Sequence, residues 1–157
     1  MKKSFLIIGL LFATAFSVNA QDVSKNAIGI RFGDNSGFGG EISYQRALSS
    51  NNRLEVDLGI RNSNTADSFK ATGIYQWVWP LEGNFNWFAG VGGGLGSFSY
   101  DGGGSDTFIF AAGDVGIEYN FDGPIMLSLD YRPEFGFTND VYDGINSDIA
   151  LAIRYQF

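Results

Sequence analysis

Ile149-Ala150-Leu151-Ala152-Ile153-Arg154-Tyr155-Gln156-Phe157 alternates without a slip. Ile149, Leu151, Ile153, Tyr155 and Phe157 fall on one side, and Ala150, Ala152, Arg154 and Gln156 on the other. Successive side chains of an extended chain point to opposite faces, so the stretch carries one apolar face and one small or polar face. A helix would mix the two sets. The period predicts a β-strand with its two faces in different surroundings.

Working back toward the N-terminus, the same period recurs seven times. Ile125, Leu127, Leu129 and Tyr131 oppose Ser128, Asp130, Arg132 and Glu134, and before them Ile109, Ala111, Val115, Ile117 and Tyr119 oppose Asp114, Glu118 and Asn120. Phe85, Trp87, Ala89, Val91, Gly93 and Leu95 oppose Asn86, Phe88, Gly90, Gly92, Gly94 and Gly96. Phe69, Ala71, Gly73, Tyr75, Trp77 and Trp79 oppose Lys70, Thr72, Ile74, Gln76 and Val78. Leu54, Val56, Leu58 and Ile60 oppose Glu55, Asp57, Gly59 and Arg61; Ile42 and Tyr44 oppose Glu41, Ser43 and Gln45; Ile28, Ile30 and Phe32 oppose Gly29, Arg31 and Gly33. Connections alternate in character. Ser49 to Arg53, Pro80 to Asn84 and Asp122 to Pro124 read as tight turns, whereas Asp34 to Gly37, Asn62 to Asp67, Ser97 to Asp106 and Thr138 to Asn146 are mostly longer and rich in Gly, Asn, Ser and Asp. Eight strands in up-and-down order account for that alternation.

Period two alone fits both a soluble barrel with its apolar face inside and a membrane barrel with its apolar face outside. Charge separates them. A wet outer face needs lysine, yet beyond the first twenty residues the chain has only Lys25 and Lys70, and the polar strand face mixes Gly, Ser and Ala with charges of both signs. That composition suits a crowded interior. On the apolar face the one charge is Arg46, close enough to its strand end to snorkel to an interface. Aromatic placement agrees, because membrane barrels ring both interfaces with aromatic side chains. Tyr44, Trp77, Trp79, Phe85, Trp87, Tyr119, Phe121, Tyr155 and Phe157 cluster toward the tight-turn end, and Phe32, Phe38, Phe69, Phe98, Phe135 and Phe137 toward the other. The fold class expected is all-β, an eight-stranded antiparallel up-and-down transmembrane β-barrel.

The start of the chain supports export. Met1-Lys2-Lys3 is a basic n-region, Phe5 to Ala13 an apolar run of nine, and Val18-Asn19-Ala20 a cleavage site ending in a small residue. Nine residues fall well short of the roughly 20 that a spanning helix needs, so residues 1–20 read as a cleaved signal peptide and 21–157 as the barrel domain. The 157-residue chain has neither cysteine nor histidine, which excludes disulfides, thiolate metal sites, cysteine nucleophiles and imidazole bases. A net charge of −7 argues against nucleic acid.

On these residues the chain resembles the small eight-stranded outer-membrane barrels of the OmpA and OmpX type. Ile153, Tyr155 and Phe157 in the last strand are similar to that family's terminal assembly signal, and the resemblance implies delivery to the barrel assembly machinery.

A barrel of eight strands is just wide enough to be filled by side chains. The inward charges expected are Arg31, Glu41, Glu55, Asp57, Arg61, Lys70, Asp114, Glu118, Asp130, Arg132, Glu134 and Arg154, five positive and seven negative. Hairpin register taken from the turns alone pairs Glu41 with Arg61, Asp114 with Arg132, and Asp130 with Arg154. Glu55 and Asp57 also fit a catalytic carboxylate pair, but an ion network accounts for them without a substrate. Gly90 to Gly96 lacks the last glycine of the dinucleotide fingerprint and the helix that should follow. Its inward glycines suggest instead a narrow cavity. Asp34, Asp67, Asp101, Asp106, Asp140 and Asp143 make the longer loops acidic, which suits divalent cations bridging to lipopolysaccharide. The reading is a monomeric structural or surface-interaction protein of the cell outer membrane, in contact with its lipid, with no metal, cofactor or catalytic residue. A narrow ion or small-solute channel and a secreted lipocalin-like barrel binding an apolar ligand are the alternatives.

Overall fold

The computed structural model describes residues 23–33, 39–62, 66–100, 104–137 and 144–157. The proposed leader lies outside them. Eight strands follow in chain order: β1 (Asn26–Phe32), β2 (Glu41–Ala47), β3 (Asn52–Asn62), β4 (Ala66–Pro80), β5 (Phe85–Tyr100), β6 (Ser105–Asn120), β7 (Ile125–Gly136) and β8 (Gly144–Gln156). Each pairs antiparallel with the next, and β8 returns to β1 with Ile30 opposite Ile153, so the sheet closes on itself. Closure satisfies every strand edge within the sheet.

Three links are tight, at residues 48–51, 81–84 and 121–124. In the second, Gly83 takes a φ of 58°, the left-handed conformation that glycine adopts at least cost. Toward the opposite end the strands run further than apolar alternation indicates. Ser97, Phe98 and Ser99 pair with Thr107, Asp106 and Ser105, so most of the expected Ser97–Asp106 link is sheet. Asn62 likewise opposes Asp67, and Ile145 opposes Phe135. Antiparallel hydrogen bonds carry the hairpins on where side chains no longer need to be apolar. At 15 to 16 residues, β4, β5 and β6 are each about 50 Å long. Tilted by about 45°, such strands overreach an apolar band about 25 Å tall.

The barrel is inside out relative to a soluble protein. Among the described residues twenty polar or charged side chains are buried against ten hydrophobic ones, while Ile28, Ile60, Val91, Leu95, Ile109, Leu129 and Leu151 stand exposed on the outer face. Pro133 interrupts the ladder between β6 and β7, where paired residues skip from Ala112–Glu134 to Val115–Tyr131. Proline has no N–H to donate there, and Gly113 leaves room for its ring.

Among the described residues, Gly94 and Gly96 on the inward face of β5 are covered by rings rather than left open to the narrow cavity expected. Phe110 lies against Gly94, Phe108 against Gly96 and Phe88 against Gly116, each ring occupying the space a Cβ would take. Phe108 and Phe110 join Ile74 and Ala112 in an apolar cluster inside the barrel. Phe98 belongs with them, its ring 5.2 Å from Phe108. It therefore does not join the outer ring of aromatics at the loop end, because it stands on the same face of β5 as Gly94 and Gly96. Phe32, Phe69, Phe135 and Phe137 are exposed at that end, and Phe38 lies outside the described residues.

Candidate functional site: the charged lumen

Alternation carries every second residue of each strand inward, and these positions hold the buried charges. Burying ions is costly unless each is paired and hydrogen-bonded. Here the pairing runs mostly across the lumen rather than between hairpin neighbours.

Arg31 on β1 gathers three carboxylates. Its Nη1 lies 2.9 Å from Glu41 Oε2 and 2.7 Å from Asp148 Oδ2, and its Nη2 lies 2.5 Å from Asp130 Oδ2. Lys70 on β4 reaches Glu134 on β7 at 2.7 Å. Deeper in, Arg132 on β7 places Nη2 2.7 Å from Glu55 and Nη1 2.7 Å from Asp57 on β3, with Asp114 3.7 Å from its Nε. Arg154 on β8 shares Glu55 at 3.0 Å and donates to Ser43 and Ser128. Gln45 and Gln76 complete this layer by donating to Glu55. Nearest the tight turns, Arg53 pairs with Glu118 at 2.7 Å, donates to Gln76 and lies over the Phe88 ring.

Of the three pairings expected from the turns, Asp130 with Arg154 does not form, Asp114 with Arg132 does, and Glu41 with Arg61 falls on a side chain outside the described residues. Glu41 stands opposite Gly59 and is held by Arg31, and the Arg61 side chain lies outside the described set. Asp130 stands opposite Ala150 and binds Arg31, while Arg154 turns to Glu55. Asp114 does approach Arg132. Hairpin register identifies only adjacent staves, whereas long arginines in a narrow lumen reach staves further round. Arg53 and Asp148 were not among the expected inward charges, although Arg53 continues the phase of Glu55 and Asp57 and Asp148 that of Ala150 and Ala152. With both counted, the buried charges comprise five cations and eight carboxylates among the described residues.

In this layer Glu55 and Asp57 are buried and engaged by guanidinium groups, as an ion network requires. Open space appears at the turn end instead, as a polar vestibule of about 130 Å³ lined by Gln45, Arg53, Asn86, Glu118, Asn120 and Gln156. Among the described residues no three acidic side chains are placed to hold a metal ion. Of the acidic loop residues, Asp67 and Asp106 lie at strand ends, and Asp34, Asp101, Asp140 and Asp143 are outside the described set.

On the outer face, aromatic rings form a belt near the tight turns. Trp79 and Trp87 stack with centroids 4.4 Å apart, Phe85 meets Tyr119 at 4.7 Å, and Tyr119 meets Phe121 at 4.8 Å. Tyr155 and Phe157 follow at 6.3 Å, and Tyr44 donates to Asn26. Tyr75, 4.9 Å from Trp77, extends this belt and was not expected in it. Ile153, Tyr155 and Phe157 are all exposed on this outer face.

No protein-family model and no curated protein matches the chain. Solved structures do. The N-terminal β-barrel domain of Pseudomonas aeruginosa OprF superposes with a TM-score of 0.64 at 13% identity, covering 86% of this chain and 100% of that one. Neisserial surface protein A gives 0.61 at 18% identity over 84% and 94%. A de novo designed transmembrane β-barrel gives 0.54 at 15% identity over 88% and 100%. The fold is that of the small eight-stranded transmembrane β-barrels.

Proposed function

We propose that this chain, having the fold of the small transmembrane β-barrels, is an integral protein of the outer membrane with a structural or surface-interaction role. The observation that carries the reading is the reversed distribution of polarity: a lumen of paired ions inside a sheet whose exterior is aliphatic at mid-height and aromatic near the turns. Water would not tolerate that exterior, whereas lipid requires it. In this reading residues 1–20 direct export and are removed. Ile153, Tyr155 and Phe157 present the last strand to the assembly machinery. The longer links face outward, where their acidic residues meet lipopolysaccharide through divalent cations. The filled lumen makes the barrel an anchor, and the protein acts as a monomer without cofactor or catalytic group.

Membrane fractionation tests the reading. The protein should remain in the pellet after carbonate or urea washing, begin at Gln21 by mass, and migrate differently in gels before and after boiling. Recovery in the washed supernatant would overturn it in favour of a soluble ligand-binding barrel.

A further inference from the structure

Cations are unevenly placed on this protein. Arg31, Arg53, Lys70, Arg132 and Arg154 are all buried in the lumen, and among the described residues the exposed cations are Lys25 and Arg46. Both sit at one corner of the turn end. Arg46 is the cross-strand partner of Asn26 at the start of β1, and the Lys25 carbonyl accepts the N–H of Ala47. Arg46 shares the outer face of β2 with Ile42 and Tyr44, and the Tyr44 hydroxyl and Arg46 Nη1 converge on Asn26 Oδ1 at 2.8 Å and 3.2 Å. The exposed acids of the tight turns, Glu82 and Asp122, lie on the β4–β5 and β6–β7 links instead.

We propose that this corner binds the phosphate of an anionic phospholipid in the leaflet at the turn end, with Arg46 and Lys25 as its counter-charges and Tyr44 and Asn26 fixing the height of the Arg46 guanidinium. The inference rests on the membrane reading above. An arginine on a lipid-facing strand is costly unless its head reaches the interface, and the belt of Tyr44, Tyr155 and Phe157 marks the interfacial level. At that level two adjacent cations, on a chain whose net charge is −7, concentrate attraction for a phosphate diester on one side of the barrel. Apolar Leu54, the β3 partner of Arg46, gives the same lipid an exposed apolar surface beside the guanidinium.

The test uses the chain folded into phosphatidylcholine nanodiscs containing a minor fraction of phosphatidylglycerol, with spin-labelled analogues of each lipid reporting which one the protein retains. The wild type should prefer phosphatidylglycerol, and each cation removed in K25Q and R46Q should weaken the preference about fivefold. R46K should keep most of it. Equal retention of both lipids by the wild type, or an undiminished preference in K25Q/R46Q, would overturn the site while leaving the membrane reading intact. Displacement of the lipid by inorganic phosphate would overturn it as a lipid site. A chain that stays soluble and enters no nanodisc would overturn the membrane reading and this site with it.

Discussion

Arg132 on β7 touches Asp57 on β3 at 2.7 Å, joining staves half a circumference apart. Because Glu55 takes the other guanidinium nitrogen, one side chain bolts two positions of the far wall. Replacing it with methionine removes the cation while keeping much of the volume. Arg132→Met should cost about 3–5 kcal/mol, since it strands buried carboxylates without a counter-charge. Urea unfolding from lipid vesicles measures the loss, and an unchanged midpoint would mean the bridge contributes nothing.

The same bridge predicts electrical silence. With Arg132 crossing the lumen, and Lys70 meeting Glu134 above it, no open bore of porin size remains among the described residues. Planar bilayers containing the purified protein should show no large steady conductance. Such a conductance would promote the channel alternative.

Glycines on the two faces of the sheet should respond oppositely to one methyl group. Gly73 faces outward with nothing within 4 Å of an added Cβ, whereas at Gly94 the same atom collides with the Ala71 carbonyl and the Phe110 ring. Gly73→Ala should be neutral or stabilising, because glycine weakens a strand interior. Gly94→Ala should destabilise by about 1–3 kcal/mol through overpacking. Equal effects on the unfolding midpoint would contradict the ring-on-glycine packing.

Leu151 lies near the middle of β8, exposed between Phe32 and Leu129 on the neighbouring strands. In a bilayer, Leu151→Arg should cost on the order of 2–4 kcal/mol and lower folding yield in vesicles. On a water-washed surface the same change would be close to neutral. A variant that folds as well as wild type in vesicles would count against a lipid-facing Leu151.

Strand number and the phase of each strand are legible from alternation, because closing a sheet between lipid and a filled lumen requires every second residue to change character. Alternation weakens where the surroundings stop differing. Hence Asn62, Ser99 and Ser105 read as loop although they continue the sheet, and Arg53 reads as part of a turn although it points inward with Glu55. Partner choice is a different matter. Register brings Arg31 opposite Glu41, but nothing local shows that Arg31 also gathers Asp130 and Asp148, or that Arg154 passes Asp130 for Glu55. Those choices depend on side-chain reach across a closed ring, a distance that exists only once the ring has formed. The covering of Gly94 and Gly96 on β5 by Phe110 and Phe108, and of Gly116 on β6 by Phe88, depends in the same way on ring orientation.

All three tryptophans of the chain, Trp77, Trp79 and Trp87, stand on one hairpin near its tight turn, two of them stacked face to face. Intrinsic fluorescence is therefore a local instrument in this protein, reporting when the β4–β5 corner changes surroundings and little about the closure of β8 on β1 far round the ring. Stacked indoles also couple their electronic transitions, so the hairpin should carry a circular-dichroism couplet that forms only when Trp79 and Trp87 come into register. Followed together, the two optical signals time the arrival of that corner separately from its zipping, without any label.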